Sequence, residues 1–404
     1  MLSYKYTARD PATGGVVKAT VEAESEQAAA KLIHKEGLVP IDINLAEGGA
    51  TGIRARFNRV KVKDKVLFSR QLSTLINAGL PLVQSLRSVS EQTTSKPLKV
   101  VLSKVIADVE SGSTLADAMA KHPQTFNQVY ISLIAAGEAS GTLDKALERL
   151  AIQQEKDADL AGKIRGAMVY PIIVLLVMIG VLGFMLVKVL PQVQQLYQDL
   201  PGANLPLITQ ILLAISNFII HRWWLVIIML GFLIFLTTRW ARTAGGKQLI
   251  DRWKMVAWPV GPLFMKMYMA RFARTGTTLV ASGVPLLQVL NITSNSINNI
   301  HIERSITKAA DKVKGGKSLA DAIQNDQNFL PLVPNMIRIG EQSGSMEQML
   351  AKTAEYYEKE VDNEVKAIST IIEPVLMVIM GVMAFIIVAA VLLPIYGLAG
   401  QSFV

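Results

Sequence analysis

Few side chains in this 404-residue chain sit at spacings that do chemistry. There is no cysteine, which removes thiolate nucleophiles, disulfides and zinc–thiolate sites together. The four histidines, His34, His122, His221 and His301, share no metal-ligand spacing. Gly315-Gly316-Lys317-Ser318 resembles the end of a phosphate-binding loop. However, Asp311 stands where the first glycine of that motif is required, and no apolar strand precedes it. A helix N-cap is the simpler reading. Carboxylates cluster at Glu155, Asp157 and Asp159, and again at Glu355, Glu358, Glu360 and Asp362. Such oxygen ligands suit a divalent cation, although their interleaving with Lys156 and Lys359 fits a solvated helix face better. No convergent histidine and carboxylate set emerges, so no catalytic, cofactor or metal site is assigned. The chain reads as a protein other than an enzyme.

Two motifs remain. Gly137-Glu138-Ala139-Ser140-Gly141 and Gly340-Glu341-Gln342-Ser343-Gly344 share the pattern G-E-x-S-G. An interhelical turn accounts for the glycines Gly137, Gly141, Gly340 and Gly344. A turn does not by itself demand a carboxylate in both copies, so Glu138, Ser140, Glu341 and Ser343 are candidates for docking a partner. Glu373, beside Pro374, is the one ionisable residue at the mouth of an apolar helix. Intramembrane acids are expensive and often functional, but snorkelling or a helix-to-helix hydrogen bond is an equal reading.

These motifs recur because the chain is duplicated. FSRQLSTLINAGLPLVQSL from Phe68 reappears as FARTGTTLVASGVPLLQVL from Phe272, and SGSTLADAM from Ser111 as GGKSLADAI from Gly315, both at an offset of 204. After a one-residue slip, the G-E-x-S-G motifs, Pro171 with Pro374, and Leu190-Pro191 with Leu393-Pro394 match at 203. Each copy is a run of amphipathic helices ending in an apolar one. Gly79 with Pro81, and Gly283 with Pro285, punctuate them. Thr114 and Ser318, each three residues before an aspartate, are N-caps. Pro171 and Pro374 are expected near a helix start or at a kink, and Gly180, Gly183 and Gly381 as packing points between spans.

Hydrophobic residues make up 51% of the chain, concentrated in three runs long enough for a bilayer. The spans are expected at 169–190, 223–240 and 371–393, with a partly interfacial helix over 205–220 before His221-Arg222. The middle span has no counterpart in the repeat, because two parallel copies need a helix that brings the chain back. Of the 41 lysines and arginines, all but Lys188 and Arg222 fall within 1–168 and 239–370. By the positive-inside rule those blocks are cytoplasmic and the C-terminus is outside. The net charge of +9 then reflects topology and anionic lipid, with no motif for nucleic acid.

The first fifty residues have a different texture and read as a β-β-α-β unit with a turn at Thr13-Gly14-Gly15. The expected organisation is a small α+β domain (1–46), a linker (47–60) and a first helical bundle (61–168) ending in the first span (169–190). An outer loop (191–222) and the second span (223–240) follow. A second bundle (241–370), the third span (371–393) and an outer tail (394–404) complete the chain. The fold class is mainly α: an integral membrane protein with two homologous cytoplasmic bundles.

With both G-E-x-S-G turns, the paired blocks at Phe68 and Phe272, Tyr170-Pro171 and three spans in hand, the chain resembles the GspF/PilC family. These are inner-membrane platform proteins of type II secretion and type IV pilus machines. The resemblance covers essentially the whole chain. It implies coupling of a cytoplasmic hexameric ATPase to extraction of pilin or pseudopilin subunits. It also implies other inner-membrane assembly partners, a homo-oligomer in the lipid bilayer and no nucleic acid. Some family members carry an acidic cation site in the first bundle; Glu148 matches one ligand position, but Thr94 and Ile152 occupy others, so that site is not carried over. Pilus assembly is preferred over secretion. A secondary transporter is the rival class, disfavoured because the repeat here lies mostly outside the membrane.

Overall fold

The computed structural model describes residues 2–9, 16–23, 26–35, 37–45, 60–192, 195, 207–241 and 243–401. The expected turn at 13–15 and nearly all of the expected linker lie outside these, as do parts of the outer loop and tail. The chain divides into two compact units, Met1–Val60 and Lys61–Val404.

In the first unit β1 (Leu2–Arg9) is the middle strand of an antiparallel sheet ordered β2-β1-β3, with β2 at Val16–Ala23 and β3 at Val39–Leu45. Alternation along β1 buries Tyr6 and Ala8. Helix α1 (Glu26–Lys35) covers that face with Ala29 and Ile33, one turn apart. The β-β-α-β order read from the sequence is the order observed.

In the second unit, α2 (Val62–Asn77), α3 (Leu82–Gln92), α4 (Lys96–Glu110), α5 (Leu115–Ala120) and α6 (Gln128–Ser140) form a bundle closed by α7 (Leu143–Phe184). Helix α7 continues through a π turn, Met185–Val189, and is helical as far as residue 192, the last of its described run. Its core is Phe68, Leu72, Leu86, Leu102, Met119 and Phe126, all buried, with Phe68 and Phe126 ring centroids 6.0 Å apart. After α8 (Leu207–Trp240) and α9 (Ala244–Val256), the bundle is repeated as α10 (Val260–Ala281), α11 (Leu286–Ser296), α12 (Ile300–Lys314), α13 (Leu319–Ile323), α14 (Leu332–Ser343) and α15 (Met346–Gln401). The aromatic pair recurs as Phe272 with Phe329, 5.3 Å apart and edge to face.

Among the described residues three helices are long and apolar enough to cross a membrane: Leu143–Gln192, Gln210–Trp240 and Met346–Ala389. Two of them are continuous with bundle helices, so each copy's last helix is both bundle wall and span. Helix α8 is broken at Arg222 (φ −127°, ψ 31°), where His221-Arg222 interrupts the apolar run. Leu213 of α8 packs with Met185, Leu186 and Leu190 of α7, beside Ile387 and Val391 of α15. The Ser216 hydroxyl donates to the Leu186 carbonyl.

Pro171 and Pro374 lie inside continuous helices, away from any start, which leaves the kink of the two readings. One expectation is corrected: Gly180, Gly183 and Gly381 have open space where a Cβ would be, so among the described residues they are not packing points between spans.

Helix α9 is turned inside out. Its polar face holds the bundle: the buried Asp251 carboxylate accepts from the Ile300 backbone N–H (3.2 Å), and the His301 ring lies 3.0 Å from the Gln248 carbonyl. Leu249, Trp253 and Val256, at helical spacing on the other face, are exposed together with Trp258.

Candidate functional site

The G-E-x-S-G motif now resolves residue by residue. Gly141 (φ 68°) and Gly344 (φ 66°) end α6 and α14 in the left-handed conformation that favours glycine. Gly137 and Gly340, expected as turn glycines, are helical. They serve close approach instead: a Cβ on Gly137 would lie 2.6 Å from Ala146 Cβ, and one on Gly340 3.0 Å from Met346 Cα. The Ser140 hydroxyl donates to the Ala136 carbonyl (2.7 Å), and that of Ser343 to the Ile339 carbonyl (2.6 Å).

Each glutamate reaches sideways to the start of the short helix that precedes it. Glu138 Oε1 accepts from the Leu115 N–H (2.6 Å) and Oε2 from the Ala116 N–H (2.9 Å). Glu341 does the same for Leu319 (2.6 Å) and Ala320 (3.1 Å). Thr114 and Ser318 accept from the next N–H, at Asp117 (3.0 Å) and Asp321 (3.1 Å). Three of the orphan donors at each helix start are thereby satisfied. This accounts for a carboxylate in both copies without any ligand. The other punctuating glycines, Gly79 (φ 85°) and Gly283 (φ 77°), close α2 and α10 before Pro81 and Pro285.

The carboxylate rows on α7 and α15 are in part the solvated face expected, with Asp159 and Glu355 exposed beside Lys156 and Lys359; among the described residues they form no group of three or more side chains placed to hold a metal. Within each bundle one of them makes the same ion pair: Arg70 with Glu155, and Arg274 with Glu358 at 2.7 Å. The Arg70 guanidinium holds the Glu155 carboxyl below its ordinary value. Others stitch the two bundles together. Lys163 pairs with Asp362 (2.8 Å), Lys156 with Glu358 (3.8 Å), and Asp157 with Arg271 (3.7 Å). Burial pushes the Asp157 carboxyl up, against the pull of Arg271. At the centre the buried Gln153 amide donates to the Thr275 hydroxyl (3.3 Å) and accepts from that of Thr278 (3.0 Å). Arg149 caps the row, donating to the Ala281 carbonyl and to the Ser282 hydroxyl. A polar seam of this kind fixes register by satisfied hydrogen bonds, and Leu160 of α7 adds apolar contact beside it, packing with Leu263 of α10 and with Val361 and Ile368 of α15.

Sequence reasoning missed this seam. Its one visible trace is that Gln153 and Asp157 continue the spacing of Ala146 and Leu150, buried positions of α7, toward Leu160. Glu373 is exposed on α15, and among the described residues no hydrogen bond or ion pair reaches it.

The family described as type II secretion system protein F matches residues 68–191 and again 272–394, the two halves of the duplication, and its N-terminal domain matches residues 1–44. The chain belongs to this family. Its relatives extend over nearly the whole length. A type IV pilus assembly protein PilC of Thermus thermophilus is 38% identical over 402 residues, covering 98% of each chain. The PilC of Pseudomonas aeruginosa is 35% identical, covering 91% of this chain and 97% of its own. A type II secretion system protein F of Vibrio cholerae is 32% identical, covering 98% of each. Family membership fits the duplicated, three-span architecture: each matched segment starts inside the first long helix of a bundle, at Phe68 of α2 and Phe272 of α10, and runs through its apolar helix.

Proposed function

We propose that this protein is the inner-membrane platform of a type IV pilus machine, a non-enzymatic core that couples a cytoplasmic hexameric ATPase to pilin extraction and filament assembly. The observation that carries this reading is the ranking of full-length relatives, in which pilus assembly proteins at 35–38% identity stand above secretion proteins at 31–33%. The distribution of basic residues supports cytoplasmic bundles, a cytoplasmic N-terminus and an outer C-terminus.

The geometry supports a lever. From Leu143 to the expected border at residue 169, α7 is about 39 Å long at 1.5 Å per residue, and α15 is comparable. The two G-E-x-S-G turns therefore sit at the end of each bundle farthest from the membrane, where a motor would first meet the protein. In this reading the exposed Ser140-Gly141 and Ser343-Gly344 carry the contact, while Glu138 and Glu341 hold the turns in shape. A push there travels along helices with no break before the bilayer, and reaches subunits beside the spans. Glu373, exposed at the border, is positioned to meet a cationic group of such a subunit.

Deleting the gene in its native host tests the assignment. Loss of surface filaments with protein secretion intact, restored by the wild-type gene, supports the pilus branch. Intact filaments with lost secretion favour the type II secretion reading, which the 98% coverage of a protein F relative keeps as the second candidate.

A further inference from the structure

Helix α9 lies outside the duplication. At the offset of 204 its residues would fall on 40–52, a stretch with no tryptophan, lysine or arginine. Its own neighbourhood is the reverse: residues 239–258 hold five lysines and arginines, three of the chain's five tryptophans and a single acid, Asp251. The other two tryptophans, Trp223 and Trp224, stand at the opposite end of the same apolar run, just past the break at Arg222. Tryptophans at both ends of a span mark the two headgroup layers, which puts Trp240, Trp253 and Trp258 at one of them.

Which charges are free decides what α9 can hold. The one acid is spent inside the fold: one oxygen of Asp251 accepts from the Ile300 N–H and the other pairs with Lys254 (3.4 Å). Arg239, Lys247 and Arg252 are exposed, and among the described residues no ion pair reaches them. Arg252 is one turn from both Leu249 and Val256, so it flanks the apolar stripe. That apolar surface continues past the helix. Val256 and Trp258, the latter 77% exposed, line an open groove of about 360 Å³ with Met255, Pro262 and Leu330. Lys266 also lines it but is paired with Glu360 (3.0 Å) and Glu364 (2.6 Å). The groove therefore suits hydrocarbon, and the free cations beside the stripe suit phosphates.

We infer that α9 is a second membrane anchor, lying in a leaflet rich in anionic lipid. Leu249, Trp253 and Val256 sit among the acyl chains, with Arg239, Lys247 and Arg252 at the headgroup phosphates. Lipid is the occupant because α9 has no slack to leave the border. A Cβ on Gly246 would collide with the Trp240 carbonyl at the end of α8, and one on Gly261 would lie 2.7 Å from the Met255 carbonyl oxygen. Both junctions are thus close-packed, one against an apolar helix of membrane length and the other against the start of α10. Through Asp251 and His301 the polar face of α9 is bonded to the second bundle. That bundle is then held to the leaflet by α9 as well as by its own span. The inference rests on the chain spanning a bilayer and is independent of the pilus assignment.

The absence of native cysteine lets a single label report on the helix. The full chain carrying Leu249→Cys with an environment-sensitive dye is reconstituted into vesicles of phosphatidylcholine, with or without phosphatidylglycerol. The expected emission is blue-shifted, more so with phosphatidylglycerol, and the added shift recedes at high salt. Lys247→Gln with Arg252→Gln, both at exposed positions, is expected to keep the thermal unfolding profile. In phosphatidylglycerol vesicles it is expected to lower the ratio of lipid-shielded to water-exposed helix by roughly fivefold per charge removed. The salt response of the chain with both basic residues in place needs no such variant. A dye that reports water in both lipids overturns the inference, as does equal shielding with and without phosphatidylglycerol. Shielding that disappears when the protein is diluted in lipid means that another protein chain covers the stripe, and overturns it too.

Discussion

At the level of single residues, Glu138 and Glu341 each hold two backbone N–H groups at a helix start some twenty residues away. Alanine at Glu138 orphans both donors, with an expected loss of about 1–3 kcal/mol, read by denaturant unfolding of the detergent-solubilised chain; Glu138→Gln, which keeps one acceptor, loses less. Wild-type stability in the alanine variant would return the carboxylate to a docking role. Asp157 gives a pH signature. Its folded pKa is raised by burial, so its stabilising contribution is complete below its unfolded value of about 4 and is lost as pH rises through the folded value. Asp157→Asn is therefore expected to match the wild type near pH 4 and to unfold at a higher temperature near pH 7, while an equal difference at both pH values would contradict it. The motif G-E-x-S-G was visible as a repeated string, but its logic was not. The first glycine answers to Ala146 or Met346 across a turn, and the glutamate to a helix in another part of the bundle. The glutamate's partners, more than twenty residues upstream, are beyond the motif's reach in the sequence.

Among the elements, helix boundaries were legible where local chemistry sets them. Thr114 and Ser318 cap as their spacing predicts, Gly79 and Gly283 end helices before proline, and the break at Arg222 follows the charged interruption. What the sequence hid was the use of faces. The acidic rows look solvated because their partners, Arg271 and Lys266 among them, lie about a hundred residues away. Helix α9 is the other case, since its amphipathic pattern says nothing about which side faces out. Trp253 and Val256 are each 73% exposed, as much as Phe385 on the third span at 72%. The helix starts four residues after the end of α8, and Val260, just beyond it, packs in a cluster with Ile368 and Ile372 at the base of the third apolar run. Both ends of α9 are thus tied to the membrane border, and Lys247 and Arg252 are exposed beside its apolar stripe. A fluorophore on Leu249→Cys or Val256→Cys in the reconstituted full chain is expected to be quenched by lipid-borne quenchers, at the depth of about 5–10 Å typical of interfacial helices. A label at Ile339→Cys, exposed on the second bundle, is expected to stay in water, and equal quenching at all three positions would contradict the placement.

For the whole molecule, the duplication is the organising fact. It was legible as two long self-matches, and the requirement for a returning span followed from it by parity alone. Because the copies run in parallel, they present two similar bases, each joined to its own span by one uninterrupted helix, and the ion pairs and amide hydrogen bonds of the seam tie the two helices' bundles together. That is the construction expected of a stator or coupler rather than of a transporter, whose repeats meet around a midplane site. The most direct test is purification of the tagged, cross-linked chain from its native membrane, with bound proteins identified by mass spectrometry. Recovery of a hexameric ATPase together with pilins is the predicted result. Recovery of neither, under conditions that keep the membrane assembly intact, would contradict the platform assignment.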